Sequence, residues 1–183
     1  MTTANKLTLL RMALIPVFLG ILYAGFPGSR YAALAVFIIA SLTDFADGYI
    51  ARHYNQITNF GKFMDPLADK VLVLSAMCYF VEVGRMPGWA LAVVLLREFA
   101  VSGMRLVAVE QGRVIAAGWS GKVKTASTMV CLCLMLLVWP SSAAGVGGTD
   151  TIALISNVVI LATTVYSGAE YLIQNRDVFK NAD

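Results

Sequence analysis

Six long apolar runs dominate this sequence and restrict its fold more than any other feature. They occupy roughly residues 7–24, 31–51, 66–83, 88–109, 123–140 and 151–173. Each is close to the ~20 residues that an α-helix needs to cross a bilayer. Charged residues make up only 14% of the chain and hydrophobic residues 58%, a balance that cannot give a domain of this size a polar surface. The sequence therefore predicts one all-α integral membrane domain, residues 1–183, with six transmembrane helices.

Basic residues in the predicted loops indicate how these helices are oriented. If the N-terminus is cytoplasmic, the outward loops carry only Arg30 and Arg85. The inner segments then carry seven basic residues, namely Lys6, Arg52, Lys62, Arg113, Lys122, Arg176 and Lys180. The positive-inside rule therefore places both termini in the cytoplasm. We expect the first run to be a retained helix, because GFPGSR follows it instead of a small-x-small cleavage site.

One polar stretch interrupts the apolar pattern with four carboxylates. DFADGYIARHYNQITNFGKFMDPLADK, residues 44–70, holds four of the eleven acidic residues. Asp44 and Asp47 are three apart, and Asp65 and Asp69 are four apart, so each pair is predicted to share one helix face. Small residues continue the same faces at positions 48, 51 and 61. Two adjacent antiparallel helices would then aim all four carboxylates into one space at the cytoplasmic side.

Such a cluster predicts a site for one or two divalent cations. Four neighbouring carboxylates repel one another and would take up protons unless positive charge joined them. Mg²⁺ and Mn²⁺ prefer carboxylate oxygens and leave positions open for phosphate and water. A zinc-type site is disfavoured, because His53 is the only histidine and no cysteine is near it.

Two other interpretations of the carboxylates stay open. They could cap helices and form salt bridges with Arg52, Lys62 and Lys70, or they could line an ion path in a non-catalytic membrane carrier. An ion path should continue through acidic or polar residues at mid-membrane depth, and the last two apolar runs are expected to hold almost none. We therefore favour chemistry on a lipid headgroup at the cytoplasmic face, with no indication of nucleic-acid binding.

The same residues match a known signature. The pattern D-x-x-D-G-x-x-A-R-x8-G-x3-D-x3-D of the CDP-alcohol phosphotransferase family is present without departure, as Asp44, Asp47, Gly48, Ala51, Arg52, Gly61, Asp65 and Asp69. The six-helix layout also resembles this family over essentially the whole chain. NKLTLLR, LREFAVSGMRLVAVEQG and GKVKT outside the motif are similar to its bacterial phosphatidylglycerophosphate synthase branch.

This resemblance implies an activity and a set of cofactors and partners. The family transfers the phosphatidyl group of CDP-diacylglycerol to an alcohol and releases CMP. By similarity, Asp44, Asp47 and Asp65 would hold one Mg²⁺ or Mn²⁺ ion, and Asp44, Asp65 and Asp69 a second. Asp69 would also take the proton from the attacking hydroxyl, unless it only ligates metal. The family is usually homodimeric, and a bacterial inner membrane is the implied location.

Two further groups of residues are expected to bind the substrates. The CDP-diacylglycerol group consists of Asn5, Thr8, Gly48, Arg52 and Thr58. Asn5 and Thr8 share a face of the first helix with Arg11, although that helix could instead be a simple interfacial anchor, and Thr58 could be an ordinary loop residue. The acceptor-phosphate group consists of Arg97, Arg105, Lys122 and Lys124.

The basic group favours glycerol 3-phosphate as the acceptor, with inositol phosphate as its chief rival. Arg97 and Arg105 lie in an otherwise apolar helix within about a quarter turn of each other, and they could form a cup for a phosphate dianion. The alternative is that Glu98 or Glu110 pairs with an arginine while the lysines mark the lipid interface.

Overall fold

The computed structural model describes the backbone of residues 3–53, 59–113, 115–116, 118–139 and 150–177. Side chains are described from residue 9 onwards within these ranges, except at 44–53, 59–66 and 69. Six α-helices occupy this part of the chain: α1 (Thr3–Ala24), α2 (Ser29–His53), α3 (Asn59–Glu82), α4 (Gly88–Glu110), α5 (Trp119–Leu137) and α6 (Thr151–Gln174). The described residues contain no strand, so the predicted all-α class and the six helices are confirmed.

Two of the helices are long and apolar enough to cross a membrane. They are α5, with a mean hydropathy of 1.3, and α6, with 1.7. Shorter apolar stretches cover Leu9–Ala24 of α1 and Ser29–Thr43 of α2. The described residues thus support a membrane protein with at least two candidate spans, and the full set of six spans stays a prediction.

The helix bounds correct the sequence prediction by four or more residues at three N-terminal ends, and α1 begins at Thr3 instead of 7. α3 begins at Asn59, seven residues before the predicted start at 66, and α5 begins at Trp119 instead of 123. Apolar runs mark the part of a helix that suits a bilayer, whereas the helix itself continues into polar residues beyond it. As a result the backbone at Gly61 and Asp65 is helical.

The chain forms two compact units. The first contains residues 1–79 and 136–139, and the second contains residues 80–135 and 140–183. In the first unit, α1 and α2 form an antiparallel hairpin whose facing side chains recur at helical spacing. Phe18 of α1 contacts Phe37 of α2 with ring centroids 5.7 Å apart, and Arg11, on the same face of α1, is fully buried.

Aromatic contacts support one end of this hairpin. Tyr23 meets Tyr79 edge to face with centroids 5.6 Å apart. The Arg30 guanidinium lies 4.7 Å from the ring centroid of Trp139, which is within range for a cation–π attraction. These contacts fix the α1–α2 turn against the aromatic residues of its own unit.

In the second unit, α4 packs against α6. Buried residues along α4 are three, four or seven positions apart and so share one helix face. A core of Val101, Met104 and Ala108 surrounds Tyr171 of α6. α5 packs beside α6, where Ser127 Oγ donates a hydrogen bond of 3.3 Å to Thr163 Oγ1. This pair is one polar contact between α5 and α6.

A buried ion pair joins three segments of the second unit. α3 ends in a turn at Gly84, whose φ of 73° suits glycine, and this turn presents Arg85. The Arg85 guanidinium donates to the Asp150 carboxylate and to the Met135 carbonyl, while the Arg85 carbonyl accepts from Asn157 Nδ2 at 2.8 Å. Asp150 also caps α6 by accepting from the Ala153 N–H at 3.0 Å.

The expectation that the last two helices hold almost no polar residues is wrong for neutral side chains. Thr128, Ser156, Asn157, Thr164 and Ser167 are all buried. Ser167 Oγ donates to the Thr164 carbonyl of its own helix at 3.2 Å, which satisfies it locally. The Thr128 and Thr164 hydroxyls have no hydrogen-bond partner among the described residues. For acidic residues the expectation holds, because α5 has none and α6 has only Glu170, one turn from its C-terminal end.

Candidate active site

The two halves of the aspartate motif lie on two helices of the first unit. α2 carries Asp44, Asp47, Gly48 and Arg52, and α3 carries Gly61, Asp65 and Asp69. The helical backbone on both sides is what the predicted shared faces require. The side chains of these residues lie outside the described part of the structure, so their distances and ligands stay predictions.

Other predicted site residues near the motif are also outside the described set. Thr58 lies in the undescribed connection between α2 and α3, and the side chains of Asn5 and Thr8 on α1 are not described. Among the described residues, no group of three or more His, Cys, Asp or Glu side chains could hold a metal ion. The predicted metal site is therefore neither confirmed nor contradicted.

Arg11 is the residue of the predicted nucleotide-binding face that the structure does describe. It is 0% exposed. Because α1 and α2 are antiparallel and Phe18 faces Phe37, moving seven residues towards the start of α1 corresponds to moving seven residues towards the end of α2. Arg11 therefore lies level with position 44 of α2, where the motif begins.

Two of the four predicted acceptor-binding residues meet in one buried cluster of the second unit. Lys124 Nζ donates to Glu98 Oε1 at 2.6 Å, and Arg97 Nη1 donates to the same oxygen at 3.0 Å. Their side chains are 7%, 13% and 14% exposed for Lys124, Glu98 and Arg97. Two cations and one anion leave this cluster with one net positive charge in a poorly solvated place, where it attracts anions strongly.

Glycines from the two neighbouring helices hold Arg97 closely. A Cβ added at Gly168 of α6 would lie 2.9 Å from Arg97 Cγ, and one at Gly121 of α5 would lie 3.6 Å from a guanidinium nitrogen. Arg97 Nε is buried and has no hydrogen-bond partner among the described residues. A buried donor of this kind normally finds an acceptor, so the cluster has capacity for one more anionic oxygen.

The other two predicted acceptor-binding residues lie against aromatic rings. Arg105 Nε donates to the Tyr171 hydroxyl at 3.1 Å, and its guanidinium lies 5.4 Å from that ring centroid. Lys122 Nζ lies 6.0 Å from the Trp119 ring centroid. The structure therefore brings Arg97 and Lys124 together and gives Arg105 and Lys122 separate neighbours.

The alternative in which Glu98 pairs with a basic residue is observed. From the sequence alone, that pairing is an argument against an acceptor site. In the structure, Glu98 instead brings two of the predicted phosphate-binding residues, Arg97 and Lys124, into one cluster. Sequence reasoning also missed Gly168 and Tyr171, which approach Arg97 and Arg105 from α6. The one sequence signal for the Arg97–Glu98–Lys124 cluster was that Glu98 directly follows Arg97 in the chain.

Comparison with known proteins gives the family. Residues 1–167 match the model of the CDP-alcohol phosphatidyltransferase family. The chain belongs to this family. Its members are membrane-associated and generally use divalent metal ions.

Curated relatives are similar over most of their length. The chain is 40% identical to the CDP-diacylglycerol–glycerol-3-phosphate 3-phosphatidyltransferase of Bacillus subtilis, over 98% of this chain and 97% of that protein. It is 41% identical to the Escherichia coli K12 protein of the same name, over 71% and 74%. A probable phosphatidylglycerophosphate synthase of Mycobacterium tuberculosis is 38% identical over 92% and 79%.

Proposed function

We propose that this protein is a phosphatidylglycerophosphate synthase, which transfers the phosphatidyl group of CDP-diacylglycerol to glycerol 3-phosphate and releases CMP. The observation that carries the proposal is the complete aspartate motif on α2 and α3 of a chain that aligns, nearly end to end, with the Bacillus subtilis enzyme of that name at 40% identity. The proposed substrates follow from that enzyme's name.

The four aspartates are proposed to hold two divalent ions, Mg²⁺ or Mn²⁺. A set of carboxylates without thiol or imidazole suits these hard cations, and the helical backbone at all four positions supports the grouping. Asp44, Asp47 and Asp65 would hold one ion, and Asp44, Asp65 and Asp69 the other. Bound there, such ions would neutralise charge on the diphosphate and the departing CMP.

Asp69 is proposed as the general base. Its carboxylate would accept the proton of the acceptor hydroxyl while the hydroxyl oxygen forms a bond to the phosphorus that bears diacylglycerol. The bond from that phosphorus to the bridging oxygen breaks, and its electron pair leaves with CMP. In-line attack of this kind needs no covalent intermediate on the enzyme.

The CDP portion is proposed to contact α1 and the first half of the motif. Gly48 would allow close backbone approach, and Arg52 would grip phosphate with two hydrogen bonds. Asn5, Thr8 and Thr58 would complete the contacts. The burial of Arg11 level with position 44 supports α1 as one wall of this pocket, since a buried arginine in an apolar helix normally serves a specific anion or polar partner.

Arg97, Arg105, Lys122 and Lys124 are proposed to bind the phosphate of glycerol 3-phosphate. The support is strongest for Arg97 and Lys124, which share Glu98 and retain one net positive charge. The buried Arg97 Nε, without an acceptor in the described residues, supplies a donor for a phosphate oxygen. Glycerol and serine acceptors would leave this donor unsatisfied.

All six helices are proposed to cross the inner membrane, with both termini and the active-site cavity on the cytoplasmic side. The apolar character of α5 and α6, the shorter apolar stretches of α1 and α2, and the distribution of basic loop residues support this topology. We also propose that the protein functions as a homodimer in the bilayer.

An acceptor panel with purified protein tests the proposal. CMP release is measured with CDP-diacylglycerol, Mg²⁺ or Mn²⁺, and one acceptor at a time from glycerol 3-phosphate, inositol phosphate, glycerol and serine. We expect CMP with glycerol 3-phosphate and its loss when the metal is chelated. CMP release with inositol phosphate but not with glycerol 3-phosphate would show that inositol phosphate is the acceptor. Metal binding without CMP release from any acceptor would favour the non-catalytic carrier.

Substitution of Asp69 tests the role of the base. Asp69→Asn is expected to lower turnover at least ~100-fold, because positioned proton transfer contributes ~10²–10⁴-fold, while CDP-diacylglycerol binding changes far less. Turnover is followed by CMP release and binding by calorimetry with a non-reacting CDP-lipid. The matched control is Asp177→Asn, at an exposed C-terminal aspartate, which should keep normal turnover. Near-normal turnover in Asp69→Asn would show that Asp69 is not the general base.

A further inference from the structure

A cavity of about 360 Å³ lies between α5 and α6. Its walls include Trp119 and Val123 of α5, and Ala162, Tyr166 and Glu170 of α6. Trp119 is 77% exposed and Tyr166 is 67% exposed, so neither ring is covered by the described part of the chain. The volume lies at the lower end of the ~300–1,000 Å³ typical of ligand pockets.

The two ends of this groove differ in chemistry. Trp119 is the first residue of α5, and Glu170 lies one turn before the end of α6, so both are at the end of the helix pair where a membrane interface is expected. Ala162 lies eight residues before Glu170, which is about 12 Å deeper along the helix. The groove is thus polar and aromatic at the interface, where Ser120 also lines it. Below it the lining is mainly apolar, because the hydroxyl of Thr163, beside Ala162, donates to the Val159 carbonyl of its own helix at 2.8 Å.

Glu170 gives the polar end a preference for positive charge. Its Oε1 accepts from Gln174 Nε2 at 3.0 Å. Its Oε2 is buried and has no hydrogen-bond partner among the described residues. A buried carboxylate oxygen normally has a hydrogen-bond donor. The Trp119 ring already lies 6.0 Å from Lys122 Nζ, and the exposed Tyr166 ring offers a further face for cation–π attraction to an ammonium group.

We propose that this groove binds a phospholipid with an ammonium headgroup, such as phosphatidylethanolamine. The ammonium donates to Glu170 Oε2 between Trp119 and Tyr166, and an acyl chain follows the groove past Val123 towards Ala162. A free amine would use only the upper end, whereas a lipid matches both the charge at the interface and the apolar section below it. The groove also opens on the outer faces of the two helices that qualify as membrane spans, where lipid is the surrounding medium.

Headgroup-dependent quenching of Trp119 tests the proposal. The full-length protein is placed in vesicles that contain either phosphatidylethanolamine or phosphatidylglycerol, with identical acyl chains brominated near the carbonyl end. The fluorescence that disappears in Trp119→Phe reports this site alone. We expect half-maximal quenching at a roughly fivefold to tenfold lower mole fraction of the ethanolamine lipid.

Substitution of Glu170 tests whether its carboxylate causes the preference for the ethanolamine lipid. Glu170→Gln should remove the difference between the two lipids, while Glu110→Gln, at an exposed glutamate at the end of α4, should keep it. CMP release is measured in parallel, because the lipid preference is expected to hold whether or not the proposed transferase activity is found.

Four outcomes would overturn the proposal. Equal quenching by the two lipids would contradict an ammonium site. This comparison uses the unmodified protein, so it does not require any variant to fold. An unchanged preference in Glu170→Gln removes the carboxylate from it. Displacement by free ethanolamine as effective as by the lipid would show that no acyl chain is needed. Absence of quenching by either lipid would show that protein, such as a second copy, covers this face.

Discussion

Asp150 stabilises the second unit in two ways that substitutions can separate. Its carboxylate pairs with Arg85, whose side chain is 5% exposed, and it also accepts from the Ala153 N–H at the start of α6. Asparagine is nearly as good a helix N-cap as aspartate, whereas alanine is not. Asp150→Asn therefore removes the charge and largely keeps the cap, and Asp150→Ala removes both.

We expect Asp150→Asn to cost about 2–3 kcal/mol of stability, below the ~3–5 kcal/mol for a fully buried pair because Asp150 is partly exposed. That corresponds to a decrease in Tm on the order of 5–10 °C. Asp150→Ala should cost about 1 kcal/mol more, from the lost cap. Thermal unfolding in detergent measures both, with Asp177→Asn expected within about 0.5 kcal/mol of the parent.

The Asp150 carboxylate also predicts a pH dependence of stability. Burial raises the pKa of Asp150, but hydrogen bonds from Arg85 and Ala153 and the charge of Arg85 outweigh it, so the pKa lies below its usual value. The stabilisation is complete above the unfolded-state pKa of about 3.9 and is lost as pH falls through the lower folded-state pKa. From pH 5 to pH 2 the parent should therefore lose more Tm than Asp150→Asn, and parallel pH profiles would contradict this role.

Single residues of the candidate site were predictable to different degrees. The sequence placed Arg97 inside an apolar helix and Lys124 at the start of the next one, and the structure joins them through Glu98. Sequence spacing could not predict that one oxygen of Glu98 accepts hydrogen bonds from both Arg97 and Lys124, because this depends on how α4 and α5 pack. The same holds for Gly168, which touches Arg97 only through the contact between α4 and α6.

Helices were easier to predict than their ends. Apolar runs identified all six, because burial in lipid or protein leaves a long hydrophobic signal. The start of α3 at Asn59 was missed because the residues before 66 are polar, and hydropathy does not register a helix that continues past the apolar segment. The buried hydroxyls of α6 were missed for a related reason, since Ser156, Thr164 and Ser167 occupy core positions at the same helical spacing as the buried apolar residues.

The contact between α4 and α6 at Gly168 gives a prediction at the level of the elements. Gly168→Ala places a Cβ 2.9 Å from Arg97 Cγ, and Cγ is too near the backbone to move freely. We expect a cost of about 1–3 kcal/mol and a several-fold higher KM for glycerol 3-phosphate, because Arg97 must shift. Thermal unfolding and CMP-release kinetics measure these effects.

A second glycine provides the matched control. Gly103 lies inside α4, and a Cβ added there meets nothing within 4 Å. Gly103→Ala should therefore raise stability by about 0.5–1 kcal/mol, through helix propensity, and leave the KM for glycerol 3-phosphate unchanged. A Gly168→Ala protein with parental KM but lowered stability would show that Arg97 does not contact the acceptor.

At the scale of the whole molecule, the number of membrane crossings decides where the C-terminus lies. Six crossings leave both termini on the cytoplasmic side, whereas a first helix that did not span would put them on opposite sides or invert the loops. The positive-inside distribution favours six. Three exposed positions report the topology: Pro27 between α1 and α2, Arg113 between α4 and α5, and Asp177 after α6.

Cysteine labelling in intact cells measures this directly. In a background with Cys78, Cys131 and Cys133 replaced by alanine, each of Pro27→Cys, Arg113→Cys and Asp177→Cys is exposed to a membrane-impermeant maleimide. Pro27→Cys should react in intact cells, because its loop carries few basic residues and faces outward. Arg113→Cys and Asp177→Cys should react only after permeabilisation, since their segments are retained on the cytoplasmic side. Reaction of Pro27→Cys and Asp177→Cys from the same side would require an even number of crossings between them, whereas the six-span topology has five, α2 to α6. That result would contradict the topology, provided that each variant still releases CMP.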